Sequence, residues 1–449
     1  MPSKIKDSQN PRLLAVVTLA KIKNGAYSNL QLNQVIRQHN LKPVDKGLLT
    51  TLVYGTIQYR LLLEYWLTPF VKGKKLEPWV RELLLTALFQ WHKLNKIPKH
   101  AIFNETIEVA KTLGNAGTAK FVTAILHNMD RSELRDADKI SDPIMRLSIS
   151  YSIPVWLVQS LLDQVGPAKT QSILSSLNEA PAQAVRVNTT RATADQAKAA
   201  LEAEGLTVRD SKVARDALVV TGGHVASSQA FLDGLITIQD ESAMLPVEAL
   251  AIDDQVHSVL DAAAAPGGKT TQIAQYLTGD AKVTAIDIHD HKVKLIKANA
   301  NRLGLADKVK AEALDARQVP DHYQEDFDRI LVDAPCSGLG LLRRKPEIRY
   351  EKTLEDVLNL ADLQLAILNS VAGRLAQDGR LVYSTCTILN QENDGVIKKF
   401  LAKNPNFELV KTETAKDLKS DRKDAVLKIY PDDYETDGFF VATLQKRRD

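Results

Sequence analysis

The sequence predicts an α/β protein. A mostly parallel sheet of seven strands, covered by helices on both faces, is preceded by an all-helical segment and a small α/β insert. Three observations predict this. From residue 257 onward, short apolar runs alternate with amphipathic segments in a strand, turn, helix rhythm. From about 9 to 130, apolar residues recur at helical spacing. Between these lie four short strand-like runs around one capped helix. The expected division is 1–145, 146–245 and 246–449.

In the first part, Leu13, Val16, Val17 and Ala20 repeat at helical spacing, as do Val80, Leu83, Leu84, Ala87, Leu88 and Trp91, with breaks at Pro98 and Gly114. The polar stretch from Ser132 to Asp138 loses periodicity and suits a linker, which puts a boundary near residue 145. Pro154 then leads a helix. In the insert, 184–187, 206–209, 218–221 and 235–239 read as strands, and 194–204 as a helix capped by Thr193. The large sheet is expected from 258–261, 282–287, 309–314, 329–333, 380–384, 407–410 and 439–444, with helices that include 292–303 and 354–377.

Composition excludes several classes. Two cysteines and nine scattered histidines in 449 residues give neither a disulfide framework nor a metal site, and a reducing cytosol is the default. Leu13 to Ala20 is too short to span a bilayer, is flanked by Lys21 and Lys23, and has no cleavage site, so a soluble cytoplasmic protein with no membrane partner is expected. Nothing requires more than a monomer. The net charge of +3 conceals an asymmetry: residues 1–150 hold 22 Lys and Arg against 12 Asp and Glu. Such a balance suits a segment that neutralises phosphates, although a solvated lysine-rich surface would look the same. The densest clusters are Lys72, Lys74 and Lys75, and Lys93, Lys96 and Lys99.

Both cysteines follow predicted strands, in Asp333-Ala334-Pro335-Cys336-Ser337-Gly338 and Ser384-Thr385-Cys386-Thr387. Taken singly, each reads as a small buried hydrophobe. Placed beyond the carboxyl ends of two strands of one sheet, where such folds bind ligands, the pair suggests thiolate chemistry. The first strand runs into Asp261-Ala262-Ala263-Ala264-Ala265-Pro266-Gly267-Gly268-Lys269-Thr270. Ala263 to Thr270 formally matches a phosphate loop, but such a loop favours glycine first and needs no acid at the preceding strand tip. An adenosyl site fits better: Asp287 closes the second strand about twenty residues after the glycine turn, Asp315 follows the third, and Asp333 closes the fourth. Any one of these acids alone would read as a cap or turn former. Arg343, Arg344 and Arg349 are placed to hold backbone phosphates, or else to pair with Glu347 and Glu351.

The motifs at 261–270, 333–338 and 384–387 resemble the signatures of the S-adenosylmethionine-dependent RNA cytosine-5 methyltransferases of the NOL/NOP/Sun family. Within it they are similar to the bacterial branch acting on 16S ribosomal RNA. The likeness is strongest from about 235 to 445, where Gln239-Asp240-Glu241-Ser242 and Asp437-Gly438-Phe439-Phe440 also fit; Ala263 departs from the cysteine many relatives carry. The resemblance implies a Rossmann-like methyltransferase domain behind a NusB-like, RNA-binding helical domain. It implies S-adenosyl-L-methionine as cofactor, held by Ala263, Ala264, Ala265, Pro266, Gly267, Gly268, Lys269, Asp287, Asp315 and Asp333. It implies ribosomal RNA as substrate, unstacked for access to the base. Cys386 would be the nucleophile at carbon 6 of cytosine and Cys336 would help break down the adduct, with Asp333 also able to hold the pyrimidine edge. In DNA cytosine methyltransferases the cysteine after proline attacks instead, which here would be Cys336. Methylation of another RNA such as tRNA, an RNA-binding assembly factor and a phosphate-loop NTPase are the alternatives.

Overall fold

The computed structural model describes residues 8–23 and 28–447. The chain forms two compact units: one comprises the described residues through 178 together with 344–351, the other 179–343 together with 352–447.

The first unit is helical: α1 (Pro11–Ile22), α2 (Ser28–Gln38), α3 (Pro43–Gln58), α4 (Arg60–Val71), α5 (Pro78–Lys93), α6 (Lys99–Leu113), α7 (Ala116–Asp130), α8 (Pro143–Tyr151) and α9 (Val155–Ser176). The Asn10 and Asp142 side chains accept first-turn amides of α1 and α8, and in each helix proline occupies the first turn, where its missing N–H costs nothing. Leu14, Val16, Leu19, Leu49, Leu52, Leu84 and Leu88 are among the buried residues of a continuous core. The buried Glu82 carboxylate is bound bidentately by Arg60. The polar segment after α7 is partly ordered: a 3-10 turn spans Ala137–Lys139, and the Arg135 carbonyl accepts the Trp66 indole N–H.

The second unit holds two sheets. The smaller is antiparallel, order β2-β3-β1-β4, from β1 (Gln183–Val187), β2 (Thr207–Asp210), β3 (Ala217–Thr221) and β4 (Ile236–Ile238), with α10 (Ala194–Ala203) carrying the full capping box that Thr193 promised. The larger comprises β5 (Ser258–Asp261), β6 (Lys282–Asp287), β7 (Val309–Ala313), β8 (Phe327–Asp333), β9 (Leu375–Thr385), β10 (Phe407–Val410), β11 (Leu427–Ile429) and β12 (Phe439–Lys446). Its order is β10-β12-β9-β8-β5-β6-β7, with β11 on β12. The neighbours from β9 to β7 pair in parallel, and every pairing of β12 is antiparallel.

Seven strands were expected here and eight form. β11 was missed because its three residues are too short to show an alternation. β9 begins at Leu375, so the helix expected to reach 377 ends at 372. Alternate residues enter different cores. Leu260, Val332, Leu381, Tyr383 and Phe440 pack in one cluster, and Val259, Leu331, Val382 and Val441 in the other. That is the signature of a sheet covered on both faces.

The small sheet is joined to the start of α11 (Gly268–Tyr276) through the fully buried Arg186. Its guanidinium reaches Gln275 Oε1 (3.1 Å), Thr271 Oγ1 (2.9 Å) and the Gly268 carbonyl (2.5 Å), and also bonds Gln239. Burial pulls its pKa down to about 9. Among the described residues no helix is long and apolar enough to cross a membrane, and no three His, Cys, Asp or Glu side chains come together as a metal site.

Candidate active site

The parallel order β8-β5-β6-β7 lines up the strand tips carrying Asp333, Asp261, Asp287 and, just past β7, Asp315. Each tip is differently engaged. Asp333 Oδ2 accepts from Lys269 Nζ (2.8 Å) and Oδ1 from Ser384 Oγ (2.8 Å). Asp261 is fully buried and accepts from the Thr270 hydroxyl (2.7 Å); burial, opposed by this bond, pushes its pKa up to about 7. The buried Asp287 accepts the His289 amide (3.2 Å), with Lys292 Nζ at 3.6 Å, and the next residue, Ile288, is 57% exposed. Asp315 caps the turn at 316–318 and is gripped by Arg317, which holds its carboxyl below the ordinary value.

Between β5 and α11 the loop is fixed by its own backbone. Ala262 N donates to Leu331 O (2.9 Å), Ala264 N to Ile286 O (2.9 Å) and Gly267 N to Ala264 O (2.8 Å), and Asn299 Nδ2 donates to Pro266 O (2.8 Å). Ala263 and Ala265 are half-buried and Pro266 is exposed. Gly267 has φ +102°, and a Cβ there would stand 3.1 Å from the Ile296 backbone, so both conformation and space call for glycine. Gly268 opens α11.

Lys269 is largely buried, and its ammonium also lies 5.2 Å from the Phe439 ring centre. Burial works against its charge, yet Asp333 outweighs this and, with Cys386 also contributing, raises its pKa. With Lys269 committed to Asp333 and the Thr270 hydroxyl to Asp261, the two side chains a phosphate loop would turn toward a triphosphate and its magnesium are both engaged elsewhere.

The two cysteines, fifty residues apart in sequence, meet: Cys336 Sγ lies 3.2 Å from Cys386 Sγ, both half-buried and unoxidised. The bond to Cys386 and burial together push the Cys336 thiol well above its ordinary value, and the charges of Cys386 and Glu392 add to this. Their loops are knitted through backbone: Gly340 N donates to Cys386 O (2.9 Å) and Gly438 N to Gly340 O (2.9 Å). Behind them lies a network that sequence reasoning missed, comprising Ser337, Gln364, Tyr383, Glu392 and Asn393, all buried. The bonds that join Glu392 to Gln364 and Ser337 span 28 and 55 residues, which hid it. The resemblance of 333–338, which contains Ser337, and of 384–387 to family signatures pointed near it.

Arg343 and Arg349 contradict the expected phosphate role. Arg343 is buried and donates to the Thr436 carbonyl. Arg349 has no exposure and serves the carbonyls of Gln58 (3.0 Å) and Leu177 (2.7 Å) and Asn178 Oδ1 (2.9 Å), all within the helical unit. Glu347, offered as its ion-pair alternative, instead accepts from Ser28 Oγ (2.6 Å). The segments 239–242 and 437–440 come together, Asp240 accepting from Ser242 Oγ (2.6 Å) and the Asp437 amide (3.3 Å).

A parallel sheet with acid-tipped strands, a glycine turn and paired thiols defines a methyltransferase-type site, and comparison with known proteins agrees. Residues 247–445 match the family described as 16S rRNA methyltransferase RsmB/F, 9–131 the NusB family, and 153–226 the ferredoxin-like domain of RsmF/B-like methyltransferases. A Bacillus subtilis protein named "Probable ribosomal RNA small subunit methyltransferase B" is 41% identical over 97% of this chain and 98% of its own. The Vibrio cholerae ribosomal RNA small subunit methyltransferase B is 34% identical over 91% and 92%. The chain belongs to the RsmB/F family of 16S rRNA methyltransferases. Among solved structures, that of PH0851 superposes with a TM-score of 0.82 at 25% identity, covering 98% of this chain and all of the other. NSun6 from Pyrococcus horikoshii with SFG shares the fold of 66% of this chain, with a TM-score of 0.59 at 24% identity.

Proposed function

We propose that the chain methylates carbon 5 of a cytosine in 16S ribosomal RNA, using S-adenosyl-L-methionine and a transient bond from Cys386 to carbon 6. The observation that carries this is the 3.2 Å thiol pair with unlike surroundings: Cys386 within the influence of the Lys269 cation, Cys336 holding its proton. An adenosyl group suits the strand tips. Asp287 offers a carboxylate for hydroxyls, Ile288 an exposed apolar surface for a ring, and Gly267 a backbone without a side chain. The cofactor supplies an electrophilic methyl group on a sulfonium.

Carbon 5 of cytosine is a weak nucleophile, and the chain's thiols remedy that. The Cys386 thiolate adds to carbon 6, and the electron pair of the 5,6 double bond moves to carbon 5, which takes the methyl. Asp333, anchored by Lys269 and Ser384, is the acid positioned to hold the pyrimidine edge. Once Cys386 is tied to carbon, its bond and its charge no longer raise the Cys336 pKa, while burial and Glu392 still do; Cys336 releases its proton to solvent, and the thiolate so formed is a correspondingly strong base. It removes the carbon 5 proton, the double bond re-forms, and Cys386 leaves as thiolate. The resting pair, one proton on Cys336, is restored.

Cys336→Ala, incubated with 16S RNA and S-adenosyl-L-methionine, is expected to accumulate a protein–RNA adduct that survives denaturing electrophoresis, and Cys386→Ala to give none. The reverse pattern would overturn the assignment of the nucleophile.

A further inference from the structure

Glu392 has no exposure, and its carboxylate gathers three donors: the Ser337 amide (2.8 Å), the Ser337 hydroxyl (2.5 Å) and Gln364 Nε2 (3.0 Å). Each belongs to the surroundings of Cys336. Ser337 is its neighbour in the chain, and Gln364 Nε2 also holds the Pro335 carbonyl (3.0 Å). The Tyr383 hydroxyl lies 2.6 Å from the Glu392 carbonyl oxygen and 3.0 Å from Gln364 Oε1. The Cys386 loop is reached less directly. Ser337 Oγ lies 2.9 Å from Thr387 Oγ1, and the following residue, Asn393, accepts from Thr385 Oγ1 (2.5 Å) and donates to Thr387 O (3.1 Å). Glu392 thus holds the Ser337 side of Cys336 directly and the Pro335 side through Gln364, and Asn393 holds the residues on either side of Cys386.

We propose that Glu392 is a positioning residue that clamps the two cysteine loops together and, by carrying its negative charge against the Cys336 loop, decides which of the two sulfurs attacks.

Bracing alone would not need a charge. A neutral glutamine fits the same three donors, accepting from the Ser337 and Gln364 N–H groups through oxygen and donating through nitrogen to the Ser337 hydroxyl, which then turns to Thr387. A fully buried carboxylate costs several kcal/mol of lost hydration, a cost an amide would avoid. What the carboxylate adds is field. A negative charge beside one of two thiols sharing a proton favours leaving the proton there. Glu392 bonds the residue next to Cys336 and its charge acts on that thiol, while Cys386 and the Lys269 ammonium, itself paired with Asp333, act on each other. The charge of Glu392 then favours the proton on Cys336.

The inference rests on the reading of Cys386 as nucleophile, but its test needs neither RNA nor cofactor and so can fail separately. In full-length protein with Cys386→Ser, leaving only Cys336, the rate of iodoacetamide alkylation is followed against pH by mass spectrometry. Adding Glu392→Gln is expected to lower the Cys336 midpoint by about one pH unit, a roughly tenfold gain in rate at a fixed pH below it. Glu392→Asp, which keeps the charge, should leave the midpoint high. In protein with Cys336→Ser, leaving only Cys386, Glu392→Gln should move the midpoint far less. An unmoved Cys336 midpoint, or equal shifts at both sulfurs, would overturn the proposal. Thermal unfolding separates these results from misfolding. If Glu392→Gln does not fold, a Cys336 midpoint lowered in Glu392→Asp decides against the charge, and one kept high there, but lowered in a folded Glu392→Ser, decides for it.

Discussion

Asp261 is an acid whose burial makes the fold sensitive to pH. Its carboxyl titrates at about 7 in the folded chain against an ordinary 3.8, because burial disfavours the charge more than the Thr270 bond favours it. Between these values the folded state holds a proton that the unfolded state has released, so stability falls as pH rises. The contribution is complete below about 4 and gone above about 7. Asp261→Asn keeps an acceptor for Thr270 and removes the titration. Its thermal midpoint is therefore expected to fall less than the parent's between pH 5 and 7.5, and parallel curves would contradict this. The sequence displayed Asp261 as one of four similar strand-tip acids. Which of them would be buried against a threonine, gripped by an arginine or joined to a lysine depends on neighbours that the spacing of acids does not reveal. The cysteines were more legible, because a parallel sheet sends successive strand tips to one edge. The carboxylate behind them was not, since glutamate and serine occur everywhere and only folding brings Glu392 to Ser337.

Among the elements, the loop after β8 is held to its neighbours by closeness of backbone. A Cβ on Gly340 would lie 2.0 Å from the Gly438 carbonyl oxygen and 2.8 Å from that of Cys386, distances that require the main chain to move. Gly340→Ala is expected to break the Gly340–Cys386 hydrogen bond, spread the two thiols and lower methyl transfer by at least a hundredfold, with a loss of about 2–4 kcal/mol in unfolding free energy. A disulfide assay reports the spreading: diamide should oxidise the parent pair readily and the variant slowly. The larger elements were read well from sequence, strands by apolar runs and helices by their period. The failures share one cause. β11 is too short for a pattern, and Arg343 and Arg349 look like surface cations because sequence shows charge and not burial.

For the whole molecule, the decisive feature is that the helical unit is not contiguous. It takes in residues 344–351 from within the chain of the second unit, and there Arg349 donates to four carbonyl or amide oxygens with no exposure of its own. Arg349→Ala takes a charged donor from each of those oxygens, of which Leu177 O keeps the Gln58 amide (3.2 Å), at a cost of about 2–4 kcal/mol. The expected result is a lower unfolding midpoint for the helical unit and faster cleavage within 340–355 under limited proteolysis. Unchanged protection there would contradict it. No periodicity announces such an excursion, which is eight residues, five of them charged, between the Cys336 loop and a well-capped helix. Its consequence is for modularity. A unit joined by one linker can be lost, swapped or expressed alone after a single cut, whereas this one is threaded through its neighbour's sequence, so any change that deletes it also strips an internal stretch of its packing. Such a chain is inherited and engineered as one piece.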